Sequence, residues 1–135
     1  MQRFTDSKVW QRSPGLALEI YKLSKPFPGD ERFGLVSQLR RAAASVPTNI
    51  AEGSKRLSNP EYAHFLNIAE VSLAETEYLL LLSRDLDYSA PEALEHPLNE
   101  IGDIARMLHA CGLKVENAVQ SRRNAVEDRR SKVEE

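Results

Sequence analysis

Three clusters of turn residues divide this chain into four segments, and every segment repeats apolar or small residues at alternating spacings of four and three. The clusters are Lys25-Pro26-Phe27-Pro28-Gly29-Asp30, Gly53-Ser54-Lys55-Arg56-Leu57-Ser58-Asn59-Pro60 and Asp87-Tyr88-Ser89-Ala90-Pro91. The first segment carries Val9, Ser13, Leu16, Ile20 and Leu23, flanked by Trp10, Ala17 and Tyr21; the second carries Val36, Leu39, Ala43, Val46 and Ile50. The third carries Tyr62, Leu66, Ala69, Leu73, Thr76, Leu80 and Ser83, and the fourth Leu94, Leu98, Ile101, Ala105, Leu108, Gly112, Val115 and Val119. A 4-3 repeat puts one stripe on one side of a helix and suits shallow helix crossings. No segment alternates at period two, so strands are not expected.

The boundaries carry their own chemistry. Ser58-Asn59-Pro60-Glu61 reads as a capping box, and Ser89-Ala90-Pro91-Glu92 repeats the pattern. Pro in a first turn is tolerated because its missing amide has no helical partner there. Pro14 and Pro47 fall inside helices one and two as kinks, and Pro97 is expected to restart helix four after a short first turn. Short connections make successive helices antiparallel. The sequence therefore predicts an all-α, antiparallel up-and-down four-helix bundle over residues 1–120. Residues 121–135 follow as a charged C-terminal tail, frayed helix or disordered.

At 135 residues the chain buries roughly two-thirds of its unfolded surface, enough to fold without disulfides or a metal. Its net charge of −2 argues against coating nucleic acid by bulk charge and leaves room for a local basic patch. The single Cys111 cannot form an internal disulfide, and residues 1–9 lack the apolar core of a signal peptide. No apolar run approaches the roughly 20 residues of a membrane helix. The expected location is the cytoplasm.

Helix three has more apolar surface than one stripe requires. A second set, Phe65, Ile68, Ser72, Leu79, Leu82 and Leu86, runs beside the first, and Tyr78 to Leu82 are apolar without a break. Leu79, Leu82 and Leu86 are expected to face a partner, and a closed homo-oligomer is the common solution. Glu75 falls within this second stripe and is expected at the subunit interface, where it can meet an arginine such as Arg41.

Helix two carries a polar strip. Gln38, Arg41, Ser45, Thr48 and Glu52 follow at spacings of three and four, flanked by Arg40 and Asn49; Gly53 ends the run, and Lys55 and Arg56 extend its positive end. Guanidinium forks bind phosphate or carboxylate bidentately, and amides can fix a base edge. Two readings stand: a solvated or inter-subunit face, and a ligand or nucleic-acid contact.

Catalytic and metal signatures are weak. Di-iron bundles need two Glu-x-x-His elements, whereas Glu61-Tyr62-Ala63-His64 occurs once and Arg106 stands at the matching position before His109. Cys111 has no neighbouring base in its helix and reads as a small core residue, and Trp10 as a core anchor. No cofactor and no catalytic residue is expected.

Certain residue orders go beyond what helical periodicity demands. They are Val9-Trp10, Ile20-Tyr21, Phe27-Pro28 and above all Gln38-Leu39-Arg40-Arg41-Ala42-Ala43-Ala44-Ser45-Val46-Pro47-Thr48-Asn49-Ile50-Ala51-Glu52-Gly53-Ser54, continued by Phe65-Leu66-Asn67-Ile68-Ala69 and Ser72-Leu73-Ala74-Glu75. This pattern, over about residues 7–115, resembles the bacterial four-helix-bundle family whose founding members are encoded within intervening sequences of large-subunit ribosomal RNA genes. It is also similar to the accessory protein of diversity-generating retroelements. The resemblance implies a bundle assembled as a ring of five. It marks Gln38, Arg40, Arg41, Ser45, Asn49, Glu52, Gly53 and Arg56 as a functional or assembly surface. The family commonly has Gly-Ser where this chain has Val71-Ser72.

The resulting expectation is a non-enzymatic homo-oligomeric adaptor, pentameric by resemblance, that contacts structured RNA or an RNA-associated protein through helix two or a subunit groove. The alternative is a protein-binding scaffold without nucleic-acid affinity.

Overall fold

The computed structural model describes residues 8–134. Its helices are α1 (Lys8–Ser24), α2 (Leu35–Ser54), α3 (Asn59–Asp85) and α4 (Pro91–Glu134), with a 3-10 turn at Gly29–Glu31 before α2. No strand occurs among the described residues. Both α1 and α3 pack on α2 and α4, and the diagonal pairs lie apart. Side-chain pairings fix the directions. Arg12 meets Glu100 and Asp103 while Glu19 meets His96, so α1 and α4 run antiparallel. Gln38 meets Glu75 and Ser45 meets Ser72, which gives the same relation to α2 and α3. The chain is an all-α antiparallel four-helix bundle.

Pro14 and Pro47 lie inside α1 and α2 as the sequence predicts. Pro97 differs from expectation. It sits within one continuous α4 and is buried, so its ring adds apolar burial against the one backbone hydrogen bond it removes. Ser58 caps α3 by accepting the amide of Glu61. The second predicted box does not form in that register. α4 begins at Pro91, and the buried Ser89 hydroxyl instead accepts from Ser83. α3 ends in a Schellman arrangement: Tyr88 N–H reaches Ser83 C=O, Asp87 N–H reaches Arg84 C=O, and Asp87 takes φ 61°. Tyr88 then meets the Phe27 ring at 5.6 Å, tying together the two turns at that end of the bundle.

The core follows the four stripes. Leu16, Ile20, Leu39, Val46, Ile50, Leu66, Leu73, Leu80 and Leu108 are essentially inaccessible. Hydroxyls on the stripes bond to their own helix: Ser13 to Trp10 C=O, Thr76 to Ser72 C=O and Ser83 to Leu80 C=O. Among the described residues no buried side-chain polar atom lacks a partner. Ile104, fully buried on α4, was not part of the predicted stripe.

One expectation needs adjustment. Leu79 does not face outward: it is 3% exposed and belongs to the monomer core. It lies two turns beyond Ser72, which bonds across to α2, and so falls on the side of α3 that α2 covers. Leu82 is half-buried and Leu86 is 44% exposed, while Val71 and Tyr78 are exposed to 61% and 62%. The charged tail is the continuation of α4, helical to Glu134, with residues 121–134 all exposed.

Two glycines give opposite expectations. A Cβ on Gly53 would stand 2.8 Å from Phe65 Cβ and 3.0 Å from Tyr62 Cδ2, atoms close to the backbone of α3. Gly53→Ala should destabilise the fold by about 1–3 kcal/mol despite the better helix propensity of alanine. Gly102 in α4 has only the end of Arg106 near it, at 3.6 Å, so Gly102→Ala should stabilise by about 0.5–1 kcal/mol. Urea unfolding of both variants checks the contrast.

Charge joins α1 to α4. Arg12 binds Glu100 at 2.8 Å and Asp103 at 3.1 Å, and Arg106 also holds Asp103. His96 Nδ1 lies 2.8 Å from Glu19. The hydrogen bond to Glu19 and its negative charge raise the imidazole above its ordinary 6.5. The folded state therefore favours the protonated ring. Its contribution is fully present below 6.5 and is lost as pH rises through the raised value. The stability difference between the wild type and His96→Gln should shrink as pH climbs from 6.5 upward, a trend read from thermal midpoints across a pH series.

Candidate nucleic-acid interface

The predicted polar strip does not act as one surface. The bundle divides it into residues that hold α2 in place and residues that line a groove. Arg40 turns toward α1: its Nε donates to Ser24 Oγ at 2.9 Å, an NH2 group donates to Tyr21 C=O at 3.1 Å, and the guanidinium lies 4.7 Å from the Tyr21 ring centre. Arg56 lies over the Phe65 ring at 4.6 Å, close to Gly53. Arg40, Gly53 and Arg56 therefore secure α2 to its neighbours. Lys55 follows the helix, its N–H reaching Glu52 C=O. Glu52 is exposed.

The remaining strip residues meet α3. A groove of about 640 Å³ runs between α2 and α3, lined by Gln38, Arg41, Ser45 and Thr48 from α2, by Ser72 and Glu75 from α3, and by Ala42 and Ala44. Its polar groups are largely paired. Gln38 donates to Glu75 at 3.2 Å, Ser45 and Ser72 share a 2.8 Å hydrogen bond, and Asn49 supports Ser45 through its carbonyl and hydroxyl oxygens. Thr48 donates to Ala44 C=O. Arg41 is exposed and has no polar partner among the described residues. The groove thus presents one uncommitted guanidinium among fixed, hydrogen-bonded neighbours. Such a fork takes a phosphate or carboxylate oxygen pair. Glu75 shares the groove with Arg41 and accepts its hydrogen bond from Gln38.

Ser72 was the residue of this groove that the strip on helix two could not reveal. Its signal lay in α3, as a small polar residue within an otherwise apolar set. Val71, beside Ser72, is exposed on the outer side of α3.

Other clefts offer less chemistry. Glu70, His109 and Glu116 line a cleft of about 210 Å³ between α3 and α4. Among the described residues no group of three or more His, Cys, Asp or Glu is placed to hold a metal ion. The Tyr62 hydroxyl lies 3.7 Å from Cys111 Sγ, and burial, reinforced by that contact, raises the phenol above its ordinary value. It remains a neutral hydrogen-bonding group rather than a base. No described helix is long and apolar enough to cross a membrane.

The split of the strip has a measurable consequence. Arg40→Ala should lower stability by about 1–2 kcal/mol through lost hydrogen bonds and ring packing. Arg41→Ala should change it by less than about 0.5 kcal/mol, as expected of an exposed side chain without partners. Chemical denaturation of the two variants compares them directly.

Comparison with known proteins agrees with this architecture. The sequence profile described as 23S rRNA-intervening sequence protein matches residues 5–110. The fold is similar to the 1.70 Å crystal structure of a protein of unknown function from the S23 ribosomal protein family of Bacteroides thetaiotaomicron VPI-5482. The TM-score is 0.69 at 28% identity, covering 76% of this chain and 96% of that one. No curated protein matches the chain. The profile covers most of the bundle, including the whole of α2 and α3 that build the groove, and so the chain belongs to the 23S rRNA-intervening sequence protein family.

Proposed function

We propose that this protein is a non-enzymatic, self-associating adaptor, a ring of five copies, that contacts structured RNA through the α2–α3 groove. The observation that carries the RNA reading is Arg41: an exposed guanidinium without a partner, set in a groove whose other polar groups are already fixed. A group left uncommitted by the monomer is available to an anionic ligand, and its ordered neighbours reduce the entropy lost on binding. Membership of the 23S rRNA-intervening sequence protein family supports an RNA setting.

Self-association is supported by α3. Val71, Tyr78 and Leu86 remain exposed after the bundle has formed, with Glu75 and the half-buried Leu82 among them. These positions recur at helical spacing on one face, beside the groove. A second copy covers such a stripe in a ring. The scaffold alternative, a ring that binds only proteins, needs this stripe and no role for Arg41.

Two measurements test the reading. Sedimentation equilibrium of the wild type should give a mass several times that of one chain, and Val71→Glu with Tyr78→Glu should reduce it to the monomer without loss of helicity. Leu79 is unsuitable for this purpose because a charge there would disrupt the monomer core. Binding of a fluorescent stem-loop RNA should weaken steeply with salt, and Arg41→Gln should flatten the salt slope by about 0.7–0.9, the value of one phosphate contact. A monomeric wild type would defeat the ring. Absence of RNA binding at low salt would leave the scaffold.

A further inference from the structure

The far end of α4 carries a feature outside both the groove and the family match. The matched region stops at residue 110, whereas α4 continues to Glu134. Tyr62, near the start of α3, already lies against Cys111, and Val115 is the last buried residue of α4. Beyond it the helix passes the start of α3 at Asn59 and leaves the bundle. The fourteen residues from 121 to 134 are all exposed and span about 20 Å at 1.5 Å per residue.

This extension is sorted by charge. At 100° per residue, Arg122, Arg123, Arg129 and Arg130 fall within an arc of about 120°, together with Val119, Val126 and Val133. Glu127 and Glu134 border that arc, while Asp128 lies opposite and binds Lys132 at 2.8 Å. None of the four arginines has a partner among the described residues. They form two adjacent pairs seven residues apart, so about 10 Å separates the pairs along the axis. The extension leaves the bundle at the α2–α3 turn, where Lys55 and Arg56 also lie.

We propose that the end of α4 is a phosphate-binding arm, whose two arginine pairs grip the backbone of the RNA that the bundle contacts. The inference rests on the RNA reading above and assigns the larger share of its electrostatic affinity to the arm rather than to Arg41. Charge complementarity selects the ligand: four unpaired guanidinium forks on one side of a rod match a line of phosphates. A lipid surface is a poorer fit, because membrane-surface helices seat Trp, Phe or Leu, and this arc offers only valines of modest area.

The test uses the full chain in four forms: wild type, the variant with all four arginines changed to Gln, the variant with all four changed to Lys, and Arg41→Gln. Each is titrated with the labelled stem-loop RNA across a salt series and, separately, with vesicles containing anionic phosphatidylglycerol. Circular dichroism and thermal midpoints confirm that the bundle is intact, since all four positions lie outside the core. The four-Gln variant should lose at least tenfold in RNA affinity at low salt and flatten the salt slope by roughly 3, the sum for four phosphate contacts. The four-Lys variant should retain most of the slope, and Arg41→Gln should change it by less than 1. If the wild type binds RNA and the four-Gln variant binds equally well, the arm is overturned while the RNA reading stands. If the wild type binds no RNA at all, both fall. Arginine-dependent binding to vesicles without RNA binding would reassign the arm to a membrane surface and overturn the proposal.

Discussion

The close approach of α2 and α3 is the constraint on which the rest of this structure depends. Small residues make it possible. Gly53 fits against Tyr62 and Phe65 with no room for a Cβ, Ala42 lies beside the seam, and Ser45 and Ser72 bond directly across it. With the helices this close, their polar edges form a groove instead of two separate solvated faces. The same approach places Arg56 over Phe65 and buries Leu79. A bulkier seam would open the groove, expose Leu79 and loosen the turn that joins the two helices. The arrangement of functional groups is therefore a consequence of packing density, since the interior has no slack to absorb an added methyl group without movement.

Much of the fold was legible because it depends on information local to each segment. The 4-3 repeat of Leu66, Ala69, Leu73, Thr76 and Leu80 defines a buried stripe whatever it packs against, and Ser58 with Glu61 marks a helix start by local hydrogen bonding alone. Two of the misplacements share one cause. Leu79 and Ile104 sit at the edges of their stripes, where burial is decided by how far the neighbouring helix reaches around, a distance that no single segment encodes. Periodicity gives the direction of a buried face and leaves its width open.

The polar strip shows the same limit applied to function. In sequence, Arg40 and Arg41 are indistinguishable neighbours. In space they differ by one 100° step, which turns Arg40 onto the last turn of α1 and leaves Arg41 beside the groove. The role of Arg40 depends on Ser24 and Tyr21, both distant in the chain and both at the end of another helix. Gly53 likewise reads as a helix terminator until α3 is placed against it. Of the strip, the residues that secure the bundle could be separated from those lining the groove only once their partners were in position.

Net charge is a poor guide to what such a molecule can bind. The chain totals −2, yet its charges are sorted: carboxylates engage arginine and histidine along the α1–α4 seam, while arginines without partners collect beside the α2–α3 groove and on the extension of α4. A phosphate within a few ångströms responds to nearby guanidinium groups, whereas charges beyond about 10 Å are largely screened at cellular ionic strength. The two arginine-bearing regions also differ in their surroundings. Arg41 is set among neighbours already ordered by the bundle, so binding there requires little further ordering, and one contact sets its strength. The extension has more charge and almost no tertiary support, so its arginines gain more from phosphates and lose more freedom in reaching them. In the RNA reading proposed above, the groove held by the bundle would discriminate by shape, and the exposed extension with its four arginines would supply most of the attraction. Under that reading, recognition and capture would fall to different parts of one helical frame.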